Sequence, residues 1–310
     1  MERLCLRLTT VPQILGAKSL RSVARFGWLL QRHSSKARYR AAVVSSIIEV
    51  TDPRIRVFLG LRDHKRRQEL ERAGEPFDDI FIAEGDLVIE RGLQRGFELR
   101  SLLVDAKRTK PLPSLPEHVE VFAASDPVLT EITGRPGLRD PLACFARPEL
   151  PSLDSIIRDA DRVAVLVGLN NPNNLGVIMR NDAGLGVDAV LLDPTCGDPL
   201  YRRAIRASMG QVFAIPHTRI GAMPEALDLL HEHGFETVAL TPRGDTEIAV
   251  FDTPARTAVL LGAEGPGLPD DTIDAATHRV RISMANGVDS LNVANAAAIA
   301  FHRLAPPTTT

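Results

Sequence analysis

The chain is short of the features that several large protein classes require. No apolar run in its 310 residues approaches the roughly eighteen that a membrane-spanning helix needs, because charges and glycines interrupt every one. A helical span is therefore excluded. The three cysteines, Cys5, Cys144 and Cys196, are odd in number, far apart and without CxxC or Cys/His spacing. That excludes a disulfide framework and a zinc site, and fits a reducing compartment. The pair in "HEH", His231 to His233, is too closely spaced to give two ligands on one helix face, so no metal is expected. A nicotinamide-binding fold needs GxGxxG after its first strand and an acid at the end of its second, and neither is found. Aromatics make up 5% of the residues, with one Trp and two Tyr, which leaves few platforms for stacking single-stranded bases.

What remains is an ordinary soluble globular composition, 44% hydrophobic and 25% charged, long enough for two domains. The net charge of -2 conceals an asymmetry. Residues 1–40 hold nine Lys/Arg against the single acid Glu2, a balance of +8, so the other 270 residues carry -10. Three readings of this basic extension stay open: a flexible nucleic-acid arm, an organelle-targeting presequence, or an upstream tract outside the functional protein. The expected location is cytoplasmic, or mitochondrial if the extension is a transit peptide.

Along the chain, residues 41–150 read as a small α/β domain. Val43 to Val50 is a strand and Asp52 to Arg72 a helix laced with basic residues. Strands follow at Asp79 to Ala83, Leu99 to Val104 and Val119 to Phe122, with helices at Asp86 to Arg95 and Pro127 to Thr133. Pro148 and Pro151 mark a linker. From there to residue 310 the strands lengthen and become more apolar: Val163–Val167, Ala189–Leu192, Gln211–Ala214, Thr237–Leu240 and Ala258–Leu261. Helices between them, such as Ala222 to His233, imply a parallel sheet covered on both faces. Such sheets bind ligands at the carboxyl ends of their strands. Ser290 to Leu304 is a closing helix, and "PPTTT" a disordered tail.

Three clusters fall just after strands. "NNPNNLGVIMRNDAGLG" places asparagines in the first turn of a helix and one arginine, Arg180, on its otherwise apolar body. "LLGAEGPGLPDD" is a strand followed by three glycines and Glu264, and "RISMANGVDSLNVANAAA" runs from a strand through a glycine turn to Ser290 and Asn292. Singly, each has a plain structural explanation: a helix cap, a tight turn, an N-cap serine. The glycines in "GAEGPGL" are ordered GxxGxG, which makes a weak dinucleotide fingerprint.

Together, their order and spacing resemble the three signature motifs of the SpoU/TrmH branch of the SPOUT RNA methyltransferases. That family transfers methyl from S-adenosylmethionine (SAM) to a ribose 2′-hydroxyl in ribosomal or transfer RNA. The resemblance covers Asp161 to Leu304, including "YRRAIRASMGQVFAIPH" between the first two motifs. The earlier "FIAEGDLVIERGLQRG" more loosely resembles the family's amino-terminal substrate-binding domain, which is like ribosomal protein L30e; "GRPGLRDPLACFARP" lacks the His-Gln-Gly often found there. The resemblance implies an exception to the rule that chains do not thread loops: a trefoil knot in the second domain, with SAM bent among its loops. It implies a homodimer with the active site close to the subunit interface. It places Thr241, Gly262, Gly267, Ile282, Met284 and Leu291 around SAM, and Asn174, Arg180, Glu264, Ser290 and Asn292 at the reacting centre.

A ribose hydroxyl is a poor acid and must lose its proton as the new C–O bond forms, so the site needs a base or strong polarisation. A guanidinium holds its proton at any ordinary pH. Arg180 is therefore expected to clamp a phosphate and stabilise developing alkoxide, with Asn174 and Asn292 orienting the hydroxyl and loops. Glu264 is either the base or the partner that holds Arg180. RNA contact is expected from Arg54, Arg56, Arg62, Lys65, Arg66 and Arg67, through phosphates and shape, with ribosomal RNA ahead of transfer RNA. The competing class is a ribosome-associated RNA-binding protein that has lost methyl transfer.

Overall fold

The computed structural model describes residues 39–40, 44–137 and 140–304. The basic extension, apart from its last two residues, and the closing "PPTTT" lie outside the described residues.

The first half runs β1 (Tyr39–Arg40), β2 (Val44–Ile47), a 3-10 turn (Pro53–Phe58), α1 (His64–Leu70), β3 (Ile80–Glu84), α2 (Asp86–Gln94), β4 (Leu99–Asp105), β5 (Leu115–Pro116), β6 (Glu120–Ala124), α3 (Asp126–Thr133) and β7 (Leu142–Ala146). Its main sheet has the order β2-β6-β4-β7-β3. Four of these strands run in one direction, and β7 enters antiparallel between β4 and β3. The sequence reading has no strand at Leu142–Ala146.

The basic stretch expected as one helix, Asp52 to Arg72, is two pieces. Asp52 caps the 3-10 turn by accepting from Arg54 N at 3.0 Å, and Asp63 caps α1 by accepting from Arg66 N at 3.0 Å. Between them Gly60 takes φ +77°, a backbone conformation that a continuing helix does not allow. The break reassigns Arg67. Its side chain is 1% exposed, bonds to Glu71 at 2.6 Å and to the carbonyls of Val57 and Leu59 at 2.8 and 3.0 Å, and lies 4.5 Å from the Phe77 ring centroid. Arg67 is a structural pin that ties α1 to the preceding turn, and it cannot meet RNA. Arg56, Arg62, Lys65 and Arg66 are exposed, while Arg54 is spent largely on Asp52 at 2.6 Å.

The second half runs α4 (Leu153–Ile157), β8 (Arg162–Val167), α5 (Pro172–Gly184), β9 (Ala189–Leu192), α6 (Arg202–Ala207), a 3-10 turn (Gln211–Ala214), β10 (His217–Arg219), α7 (Ala226–Glu232), β11 (Glu236–Leu240), β12 (Thr246–Glu247), β13 (Thr257–Gly262), α8 (Asp270–Ala275), β14 (His278–Arg281) and α9 (Val293–Arg303). The sheet order is β10-β9-β8-β13-β11-β14-β12, parallel at every pairing. Residues Gln211–Ala214 are not the strand the sequence suggests. Gly210, at φ +76°, bonds back to Ile205 O at 2.9 Å, the chain tightens into a 3-10 turn, and pairing begins only at His217.

Both sheets share one apolar core. Phe81 stacks on Phe145 at 5.4 Å between centroids, and Phe213 from the second half lies 5.8 Å from Phe81 and 4.8 Å from Phe97.

Helix α5 carries the first motif and is held without slack. A Cβ on Gly176 would lie 2.3 Å from the Ala204 carbonyl oxygen and 2.7 Å from Ala207 Cβ, so α5 and α6 touch backbone to backbone. Gly176→Ala is expected to cost about 1–3 kcal/mol in urea unfolding, since neither neighbour is a flexible side chain.

The charge that α5 buries at expense is not Arg180, which is exposed, but Asp182. Its side chain is fully buried, neither oxygen has a hydrogen-bond partner, and burial alone pushes its carboxyl well above the ordinary carboxylate range. A folded-state pKa above the unfolded one means that the native state loses stability as pH rises from about 3.9 through the folded value. Asp182→Asn should remove that loss, so the gain in unfolding free energy over wild type should be larger at pH 8 than at pH 5.

Candidate active site

The loops after β11, β13 and β14 and the first turn of α9 enclose a cavity of about 600 Å³. Its walls combine apolar side chains and glycine backbone with several polar side chains. Thr241, Gly262, Gly267, Ile282, Met284 and Leu291 all line it, and so do Glu264, Ser290 and Asn292. Asn174 and Arg180 do not.

Close backbone approach shapes this cavity. A Cβ on Gly262 would sit 2.2 Å from Gly267 C and 2.3 Å from Leu268 N, and one on Gly244 would sit 2.4 Å from Val280 C. Segments that cross this tightly admit only glycine. The turn between Ala263 and Gly267 closes on itself, with Gly267 N donating to Ala263 O at 2.9 Å, and both Gly265 and Gly267 take positive φ. Thr241 is buried, with its N–H on Val280 O at 2.9 Å and its hydroxyl accepting from Arg243 N at 3.3 Å. At the end of β14, Ser283 donates both its N–H and its hydroxyl to Glu247, and these bonds hold the Glu247 carboxyl below its ordinary range.

The three motifs meet at Asn174. Its Nδ2 donates to Glu264, and its Oδ1 accepts from Asn292 Nδ2 at 3.1 Å. Asn292 also caps α9 by accepting from Ala294 N at 3.0 Å, so the helix begins at Val293 and the cap is Asn292, not Ser290. Asn181, which the sequence reading passed over, donates to Ala294 O at 2.9 Å and locks α5 to the same turn of α9. Its place directly after Arg180 was the available signal. Arg243, also passed over, lines the cavity and pairs with Asp270 at its rim.

Arg180 stands apart. It follows Asn174 by six residues, about 9 Å along the helix axis and roughly 240° around it. No hydrogen bond or ion pair joins it to Glu264 or to any other described residue, so Glu264 does not hold Arg180 within this chain: it holds Asn174. An exposed guanidinium with no partner among the described residues is free to bind an anion from outside.

Burial pushes the Cys144 thiol up to about 11 and the Cys196 thiol up to about 12, so neither ionises at neutral pH. Among the described residues no group of three or more His, Cys, Asp or Glu side chains could hold a metal ion, and no helix is long and apolar enough to cross a membrane.

This arrangement, a parallel sheet with a glycine-walled cavity at its carboxyl edge and a knot of amides and one acid at the mouth, defines a class of group-transfer fold built to hold a nucleoside-like cofactor by backbone contacts. Residues 161–302 match the SpoU rRNA methylase family model. An uncharacterized tRNA/rRNA methyltransferase from Mycobacterium tuberculosis is 39% identical over 265 residues, 84% of this chain and 91% of that protein. A 23S rRNA (uridine(2479)-2′-O)-methyltransferase from Streptomyces viridochromogenes is 27% identical over 74% of this chain and 82% of its own length. Among solved structures, an RNA 2′-O ribose methyltransferase superposes with a TM-score of 0.69 at 29% identity, over 84% of this chain and 98% of that one. An AdoMet-bound rRNA methyltransferase from Sinorhizobium meliloti does so with a TM-score of 0.68 at 26% identity, over 84% and 97%. The chain belongs to the SpoU rRNA methylase family, whose cofactor is SAM.

The residues fit that cofactor. Pockets that hold compact organic ligands range over about 300–1,000 Å³, and the cavity's lining supplies apolar faces in Ile282, Leu291 and Leu240 together with the open backbone of a Gly-Pro-Gly turn.

Proposed function

We propose that this protein methylates a ribose 2′-hydroxyl of RNA, with 23S-type ribosomal RNA as substrate. The observation that carries the reading is the Asn174 bridge, which ties Glu264 of the second motif to Asn292 of the third at the lip of a cavity suited to SAM. The Streptomyces relative's substrate supports both the ribose 2′-oxygen and 23S RNA.

Bound SAM supplies an electrophilic methyl group on a sulfonium. The chain's own residues handle the nucleophile. Glu264 spends one carboxylate oxygen on Asn174, and its other oxygen is placed to take the hydroxyl proton. Asn174 and Asn292, locked to each other and to the start of α9, fix the direction from which the ribose enters. Ser290, exposed in the cavity wall, offers a hydroxyl to the incoming ribose. Arg180 clamps the adjacent phosphate in a bidentate fork and offsets developing negative charge on the 2′-oxygen.

We include the trefoil knot implied by the family in this reading. We also include a homodimer: Leu291 and Ile299, at the start and on the exposed side of α9, leave an apolar surface next to the site.

Mapping of 2′-O-methyl positions in RNA from cells with and without the gene tests the substrate. One position in 23S ribosomal RNA should disappear on deletion. A loss confined to transfer RNA would replace the substrate in this reading, and an unchanged map would overturn it.

A further inference from the structure

The exposed cations of α1 do not end at α1. At the junction of the two halves, Glu84 is 4% exposed and accepts Arg202 at 2.7 Å and Arg135 at 2.5 Å, with Arg206 at 3.5 Å. One carboxylate from β3 thus gathers three arginines, two of them from α6. Arg202 also donates to Leu61 O at 3.0 Å, and the Tyr201 hydroxyl to His64 O at 3.2 Å. These bonds bring α6 against the turn that opens α1. Arg203 follows Arg202 on α6 and is exposed, and after burial the charges of Arg203 and Arg202 push the His64 pKa down. The stem of Arg62 lies against Gly134, where a Cβ would meet Arg62 Cγ at 3.0 Å, directly beside Arg135.

Arg62, Lys65, Arg66, Arg135, Arg203 and Arg206 are all exposed and form one seam. Buried Arg202 cancels Glu84, and against the six stand Asp63, Glu69 on α1 and Asp126, which accepts from Gly137 N at 3.0 Å beside Arg135, a net of +3 over these nine residues. The nearby Glu71 and Asp198 are already paired, with Arg67 and Arg147. Arg135 and Arg206 remain 44% and 55% exposed while paired with one carboxylate, so both guanidiniums stay open to solvent. A chain otherwise acidic has little structural reason to concentrate charge of one sign here, and a seam of net positive charge on a rigid frame suits a phosphate backbone.

We propose that the RNA backbone crosses this seam from α1 to α6, and that Arg203 and Arg206 are phosphate contacts along with Arg62, Lys65 and Arg66. The inference rests on the reading that RNA is the substrate. It adds that both halves grip the RNA together. Because α6 lies backbone to backbone on α5 at Gly176 and Ala204, RNA held there is one helix away from Asn174 and Arg180.

The test measures binding of the full chain to protein-free 23S ribosomal RNA over a salt series, with SAM affinity measured in parallel. Arg203→Glu and Arg66→Glu should each weaken RNA binding roughly tenfold and flatten the log K against log[salt] slope by about 1. SAM affinity should not move, Arg203→Lys should restore most of the RNA binding, and Arg158→Ala, at the C-cap of α4, should behave as wild type. Wild-type affinity and slope in Arg203→Glu would overturn the proposal, as would tighter binding to poly-glutamate than to RNA, which would mark a protein-binding face. The two readings fail separately. Methyl transfer to RNA with no effect from Arg203→Glu sinks the seam alone, whereas weakened RNA binding by a protein that transfers no methyl group keeps the seam and sinks the activity.

Discussion

Arg180→Lys should lower the single-turnover rate of methyl transfer by roughly 10²- to 10³-fold, the usual scale for removing one preorganised donor from a transition state, with SAM affinity unchanged. Arg180 is exposed, outside the cavity lining, and turned away from the Asn174 bridge, so its task must involve something that arrives from outside. Lysine retains the charge but loses the planar fork that grips two phosphate oxygens at once. Simple charge steering would leave Arg180→Lys near the wild-type rate. Such a rate would refute the clamp. Loss of SAM affinity in the variant would instead show that Arg180 supports the cofactor site.

Gly262→Ala should abolish SAM binding, weakening it by more than about 100-fold, or about 2.7 kcal/mol, in calorimetry. The added methyl would lie 2.2 Å from Gly267 C and 2.3 Å from Leu268 N. Both obstacles are backbone, so no side chain can swing aside, and the Ala263 to Leu268 segment that walls the cavity must move. Gly267→Ala provides the contrast. Its Cβ would meet no protein atom within 4 Å, and only its φ of +74° opposes the change, a cost of about 1–2 kcal/mol in stability with no backbone forced to move. Similar loss of SAM binding in the two variants would contradict the close-approach account.

Much of the second half was legible because its strands are uninterrupted apolar runs, a pattern that only burial on both faces explains. The misreading at Gln211–Ala214 has the same origin. A four-residue apolar run looks alike whether it fills a core from a strand or from a 3-10 turn, and the deciding feature, Gly210 closing back on Ile205, is a tertiary detail. In the first half, Asp52 and Asp63 were two N-cap signals within one supposed helix, and Glu71 stood four residues after Arg67. Both pointed to a broken element with an internal ion pair. Strand β7 was hidden because Pro141 and Pro148 flank it, and its burial comes from pairing on both sides, which no local pattern records.

The site residues divide along similar lines. The glycines and strand-end positions that line the cavity could be picked out by motif order, because each motif is a contiguous segment that carries its own geometry. The Asn174–Glu264–Asn292 cluster joins residues separated by 90 and 118 positions, and only the fold shows that Glu264 engages the asparagine and not the arginine. The cationic seam was half visible on α1. Its other half, on α6, stands in the sequence only as the segment between the first two motifs, and Glu84, far off in the chain, is what draws it across.

The most direct test of the central claim is transfer of an isotopically labelled methyl group from SAM to 23S ribosomal RNA by the purified protein, followed by digestion to nucleosides and mass spectrometry. The account predicts label on a 2′-O-methylated ribose at a single position, lost in Asn174→Ala and Glu264→Ala. Label on a base, or no label with a protein that binds both SAM and RNA, would contradict it.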